Sequence, residues 1–384
     1  MLLFHSRRSL KLALALAVML SVYASSIFGA SAQGAPGAVF TMTNAEEGNE
    51  IVLWQPGGDS GLEVAASFAT GGAGSGGGLG SQGALALSED GEWLLAVNAG
   101  SAEISAFRVH SDGLELTSTV ASGGTMPISV TIHGHLVYAL NAGGDGNITG
   151  FMLDGSGDLV ALAGSTRGLS QAGGAGPAQV QFTPSGDQLV VTEKATNRID
   201  VYPVNSDGIA GSAVVNASHG MTPFGFEFAQ NGTLVVSEAF GGAVDASAVS
   251  TYAINEDGSL RLISGSVSST ESAACWVAVT PDGRRAYTTN AGSGSVSAYG
   301  VRFDGRAFLI DATIEHLPED GQAGLTGEGS APIDASIGPD GQFLYVLNGG
   351  TASISIFAID AQGNLTEAGQ VSGLAATSVG IVAG

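Results

Sequence analysis

An aliphatic residue followed three positions later by an aromatic one recurs along the chain: Ile51/Trp54, Ile104/Phe107, Ile148/Phe151, Ile199/Tyr202, Val249/Tyr252, Val296/Tyr299 and Ile354/Phe357. Successive aromatics stand 44 to 58 residues apart. A step of three would suit one face of a helix. The neighbours, however, are β-branched and flanked by glycine, and long helical patterns are missing, so the pairs read as strand residues. Side chains alternate across a strand, so an odd step sends the two members to opposite sides. Both faces are then apolar, as in a sheet packed between two other sheets.

Each aromatic strand follows a second repeated segment: TMTNA (41–45), AVNAG (96–100), ALNAG (139–143), VTEKA (191–195), VSEAF (236–240), TTNAG (288–292) and VLNGG (346–350). Before most of these stands an alternating strand with a glycine turn, as in VQFTPSGD or VAVTPDG. After most aromatic strands comes a turn such as HSDGL or NEDGSL, then another short apolar strand. Glycine accepts the positive φ that such hairpins need. Each unit is therefore four antiparallel strands in about 50 residues, the pattern of a β-propeller blade. The first unit begins at its second strand (residues 38–43), and the chain finishes with an orphan alternating segment (residues 378–382). The expected fold is all-β: a seven-bladed β-propeller of four-stranded antiparallel blades, its ring closed by pairing the C-terminal strand with the N-terminal blade so that no edge stays unpaired. The ends of the second strands and the linkers between blades return to one face, which is where function is expected.

Composition narrows the partners. The 384 residues include 60 Gly, 12 Lys+Arg and 35 Asp+Glu, for a net charge of −23 with 44% apolar residues. Such a chain is too apolar for disorder and too glycine-rich for a helical bundle. Nucleic acid is excluded as a partner, because duplex binding needs clustered basic residues. The single Cys275 rules out an internal disulfide framework and a cysteine-built metal site. At the N-terminus, Arg7, Arg8 and Lys11 precede an apolar run (residues 12–22) and a small-residue cleavage site, Ala30-Ser31-Ala32. Residues 1–32 therefore read as a signal peptide with a partial twin-arginine pattern, and residues 33–384 as a single propeller domain. The run is shorter than the roughly 20 residues of a spanning helix. The expected product sits outside the cytoplasm, periplasmic or secreted, with no membrane attachment after cleavage.

The seven units, the LYVLN segment (344–348), the DG turns and the closing GIVA (380–383) together resemble the lactonase-type seven-bladed propellers, which include 6-phosphogluconolactonase-like proteins and the fungal 3-carboxy-cis,cis-muconate cyclases. The resemblance implies a site at the mouth of the central channel, made of His, Arg and Glu, working without metal or cofactor. One family segment reads Gly-Pro-Arg-His with a Glu at the end of the next strand. Here it is Gly176-Pro177-Ala178-Gln179 with Glu193. Asn290-Ala291-Gly292 stands where the family carries another Arg, and Ser81-Gln82-Gly83 where it carries another His.

Glu193 and Glu238 end the second strands of consecutive units, where the other five carry Asn44, Asn98, Asn141, Asn290 and Asn348. One reading is a carboxylate pair facing the channel, with Glu193 as general base. The other is that Asn and Glu alike cap the turn that follows. His219, in the linker NASHGMTP close to the strand containing Glu227, is the second catalytic candidate. Lys194, Arg198, Glu238, Gln179 and Gln82 are candidates for substrate binding, with a surface ion pair to Glu193 as the alternative for the two cations. His133 and His135 read as a surface turn on the opposite face, residues 71–80 as a flexible linker over the channel mouth, and Asp154, Ser156 and Asp158 as a turn rather than a calcium loop. Two functions follow. One is an exported lactonase or 3-carboxymuconate cyclase-like enzyme acting on a small lactone or carboxylate. The other is a non-catalytic propeller that binds a ligand, polymer or protein on its channel face.

Overall fold

In a computed structural model, residues 37–57, 61–310 and 323–384 are described, and they form seven antiparallel sheets. The expected signal peptide, residues 1–32, lies outside the described residues. Numbered from the N-terminus, blade 1 takes its inner strand from the other end of the chain. Val379–Ala383 pairs antiparallel with Val39–Met42, which is followed outward by Glu50–Pro56 and Leu62–Ala69. The register sets Val39 opposite Ala383 and Thr41 opposite Ile381. Thr377 Oγ1 donates to the Thr43 carbonyl at 2.6 Å, and the Gly37 N–H donates to the Tyr345 hydroxyl at 2.7 Å, so head and tail are tied to each other and to the last blade.

The other six blades run from centre to rim in chain order. Blade 4, for example, comprises Pro177–Phe182, Gln188–Glu193, Arg198–Pro203 and Val214–Ala217, and blade 5 comprises Pro223–Ala229, Thr233–Glu238, Ala248–Ile254 and Leu260–Ser268. All fourteen members of the aliphatic/aromatic pairs are buried, none more than 3% exposed. The odd spacing therefore does what strand geometry requires, packing one member against each neighbouring blade. The described residues contain no α-helix, only the one-turn 3₁₀ segments Gln230–Gly232 and Phe240–Gly242. No helix among them is long and apolar enough to cross a membrane. The turn expected at Asp154 is present: its Oδ1 accepts from the N–H groups of Ser156 (2.8 Å) and Asp158 (3.0 Å) and from the Ser156 hydroxyl (2.6 Å).

Candidate functional site

The inner strands alternate between core and channel. In PAQVQF, Val180 and Phe182 join the apolar core, while Gln179 and Gln181 line the central cavity. In PFGFEF, Phe226 packs between blades and Glu227 faces the cavity; in Pro332–Ile337 of blade 7, Asp334 and Ser336 do so. The cavity measures about 500 Å³, within the roughly 300–1,000 Å³ range of small-molecule pockets.

At the linker end the channel is closed. Gln82 reaches across from blade 2 to blade 6, donating through Nε2 to the Val277 carbonyl (2.6 Å) and accepting from the Val277 N–H (3.0 Å). Beside it Trp276 Nε1 donates to the Ser81 carbonyl at 2.8 Å, and the Trp276 ring lies 4.8 Å from that of Phe224. Lys194 sits 4.6 Å over the Phe224 ring and donates to the Gly80 carbonyl. Burial lowers its ammonium to about 8. The same apolar plug pushes the Cys275 thiol up to about 12. Gly225 makes the crossing possible, since a Cβ there would lie 2.1 Å from Gln82 Oε1. Residues 71–80, expected as a flexible linker, are instead pinned. The Asn44 side chain accepts from the Ser75 N–H (2.9 Å) and donates to the Gly77 carbonyl (2.6 Å), and the Gly74 N–H donates to the Ala45 carbonyl (2.8 Å).

The cavity opens at the other end. Its rim carries Glu89, Thr183 and Pro184, from turns between inner and second strands, and His133, which ends the inner strand Pro127–His133. This is the face opposite to the one singled out from the sequence, and His133, expected as a plain surface turn, is part of its rim.

Two carboxyls dominate the cavity. Glu227 Oε1 accepts from Gln181 Nε2 (2.6 Å) and from the Phe228 N–H (2.9 Å), while Oε2 takes no hydrogen bond from the described residues. Gln181 is itself held, accepting from Gln179 Nε2 at 3.0 Å. Burial pushes the Glu227 carboxyl above its ordinary value, against the pull of the Phe228 N–H and the Gln181 amide. Asp334, only 3% exposed, accepts from the Ala335 N–H (2.9 Å) and the Ile381 N–H (3.3 Å). Burial outweighs both and raises it to about 8, so near neutrality it carries a proton.

The residues singled out from the sequence divide sharply. Gln82 and Gln179 lie on the cavity wall, but both are engaged with backbone, Gln179 pairing with the N–H (2.8 Å) and carbonyl (2.9 Å) of Phe226. Glu193 is fully buried away from the cavity, accepting from the Ser170 N–H (2.8 Å) and from the hydroxyls of Ser170 and Thr196 (both 2.5 Å). Beside it Asp200 is raised to about 7 by burial and by the Glu193 charge. Glu238, also fully buried, accepts from the Gly220 N–H (2.8 Å), Ser250 (2.5 Å) and Ser266 (2.7 Å). Asn290 and Asn348, at the matching strand ends, also meet serine hydroxyls but donate to them through Nδ2. Of the donors to the two glutamates only Thr196 lies in the turn that follows its glutamate; the others belong to the preceding linker or to neighbouring strands, so both carboxylates tie the blade together away from the cavity. His219 is exposed at the rim of blade 5, its N–H donating to the Tyr252 hydroxyl at 2.8 Å and its ring lying over Gly265. Arg198 is exposed, and among the described residues neither it nor Lys194 forms an ion pair with Glu193.

Residues 43–168 and 236–378 match the family described as Lactonase, 7-bladed β-propeller. The chain belongs to that lactonase family. The unmatched stretch between, 169–235, holds blade 4 and the inner strand of blade 5, which carry Glu193 and Glu227. Solved structures with the lactonase propeller fold include a protein from Lactobacillus plantarum (19% identity, covering 90% of this chain and 98% of that one, TM-score 0.70). Others are a putative 6-phosphogluconolactonase from Bacteroides fragilis (20%, 91% and 98%, 0.68) and a periplasmic gluconolactonase from Pseudomonas aeruginosa (16%, 88% and 97%, 0.66). At these identities the likeness is one of fold. No curated protein matches this chain in sequence.

Sequence reasoning missed Glu227 and Asp334 as the cavity's acids. The signal was present in the alternation of PFGFEF and PIDASI, where an acid takes the channel-facing position of an inner strand.

Proposed function

We propose that this lactonase-family propeller hydrolyses a small lactone inside its central cavity, with Glu227 as general base. The observation that carries the reading is the state of Glu227: one oxygen fixed by Gln181 and the Phe228 N–H, the other unengaged among the described residues, in a cavity of about 500 Å³. Hydrolysis of a lactone requires a base to activate water and donors for the developing oxyanion. Glu227 Oε2 takes a proton from water as the water oxygen bonds to the lactone carbonyl carbon. Protonated Asp334 and the Ser336 hydroxyl, whose oxygen accepts from the Ala383 N–H at 3.0 Å, supply O–H donors toward the cavity. Collapse of the tetrahedral intermediate breaks the ring C–O bond. The proton held by Glu227 passes to the leaving alkoxide, giving the open hydroxy acid. Gln82 and Gln179 then serve as wall, and Glu193, Glu238, His219, Lys194 and Arg198 stand outside the reaction.

Export fits this reading: the basic, apolar and small-residue pattern of residues 1–32 supports passage out of the cytoplasm, and one structural relative is named as periplasmic. A second reading, ligand binding without turnover, is favoured by Ala178 and Gln179 standing where the family carries Arg and His. The test is an assay of the protein lacking residues 1–32 against neutral sugar lactones and muconate lactones. Hydrolysis that falls at least about 100-fold in Glu227→Gln, with melting unchanged, is the expected result. Failure to open any lactone would leave the binding reading in its place.

A further inference from the structure

We infer that the cavity takes an uncharged, hydroxyl-bearing lactone and turns away its phosphorylated or carboxylate-bearing counterparts. This rests on the cavity being the binding site, but not on turnover there. The argument begins with where the cations are. Nine basic residues follow position 32, all of them described, and none lines the cavity. Lys194 is turned to the Gly80 carbonyl and the Phe224 ring at the closed linker end, on the far side of the Gln82 crossbar. Arg108 pairs with Glu92 at 3.0 Å, and Arg167 and Arg285 are spent on backbone carbonyls. Arg284 and Arg306 face Asp282 and Asp304.

The cavity itself presents the opposite chemistry. Its ionisable groups are Glu227, Asp334 and, at the rim, Glu89 and His133, among amide and hydroxyl groups such as Gln181 and Ser336. A phosphate entering here gives up its hydration and meets no lysine or arginine. A like charge about 6 Å from a carboxylate in protein surroundings is disfavoured by roughly two powers of ten in affinity. Ring hydroxyls, by contrast, find both acceptors and donors, since Glu227 Oε2 accepts and the Ser336 hydroxyl can donate. The net charge of −23 adds a long-range field of the same sign.

The experiment compares two ligands that cannot be hydrolysed: D-glucono-δ-lactam and its 6-phosphate, titrated by calorimetry into the protein lacking residues 1–32. The neutral lactam is expected to bind, and the phosphorylated one to bind at least about 100-fold more weakly. Thr131→Lys, which places an ammonium on the cavity wall, is expected to narrow that ratio to within about threefold by a gain on the phosphate side. Should that variant not fold, Glu227→Gln is expected to narrow the ratio by up to about 100-fold by removing one negative charge. Equal or tighter binding of the phosphorylated lactam by the unaltered protein, or binding of neither, would overturn the inference. Lactam binding without hydrolysis of the matching lactone supports it while removing the hydrolase reading. Hydrolysis of a phosphorylated lactone as fast as the neutral one would do the reverse.

Discussion

Two pairs of withdrawn carboxyls, Glu193 and Glu238 at the linker-side ends of second strands and Glu227 and Asp334 on inner strands facing the cavity, differ in how fully they are satisfied. Glu193 and Glu238 each collect three hydrogen bonds in sealed pockets at the linker side. Glu227 and Asp334 face a cavity with two donors apiece, all but one of them backbone N–H groups, and Glu227 keeps an unengaged oxygen among the described residues. A carboxylate saturated by donors is a structural cap, because a proton or a substrate would have to displace those donors. A carboxyl in a cavity with spare valence can exchange its proton. Burial is common to both pairs, so burial alone does not mark a working acid; the count of donors and the open side do.

This contrast can be broken experimentally, beginning with the largest effect. Asp334 is raised to about 8 in the folded chain from an ordinary value near 4, so the native state holds a proton that the unfolded state has lost between those limits. Stability is then complete at about pH 4 and declines as pH rises toward 8, at up to roughly 1.4 kcal/mol per pH unit. Asp200, also raised, adds to the decline in the unaltered protein. The quantity to measure is therefore the difference in denaturant-melting slope between that protein and Asp334→Asn, which is expected to be flatter. An identical slope would place Asp334 with the sealed pair. Glu238→Ala leaves three donors unmet, which at roughly 1–3 kcal/mol each should cost on the order of 4 kcal/mol of stability. Lactone hydrolysis should survive wherever the variant stays folded, and a selective loss of activity would move the site to the linker face. Glu227→Gln should do the opposite, losing about 2.7 kcal/mol or more of transition-state stabilisation with little change in melting. Smallest is Gly225→Ala, whose Cβ meets Gln82 Oε1 and the Cys275 carbonyl. A cost of about 1–3 kcal/mol is expected from melting curves, and a neutral result would mean that the crossbar yields freely.

The fold was legible because it is written repeatedly. Seven aliphatic/aromatic pairs at near-regular spacing and an orphan final strand, residues 378–382, leave little freedom once strand alternation is applied. The site was less legible for a physical reason. Glu193 and Glu238 break a run of asparagines at equivalent positions, which draws attention, yet a buried strand end beside serine and threonine hydroxyls suits either, since Asn donates to them and Glu accepts from them. Glu227 and Asp334 stand inside strands, where only the choice of face separates a channel residue from a surface one. Which end of the channel is open depends on Gln82 finding Val277, 195 positions away in sequence, and on Gly225 leaving it room. No local pattern encodes that closure. His133 was read as a turn residue but ends the inner strand Pro127–His133, beside the turn at Gly134 and His135, and its place on the cavity rim follows only once the opposite end is known to be plugged.

The central claim is that ligand chemistry occurs in the channel cavity and not on the linker face. Its most direct test is a crystal structure of the protein lacking residues 1–32 soaked with D-glucono-δ-lactam. The account expects the ring within hydrogen-bond reach of Glu227 Oε2 and the Ser336 hydroxyl, with Gln82 still bonded to Val277. A lactam seated instead beside Glu193, Lys194 and His219, with the crossbar displaced, would contradict it.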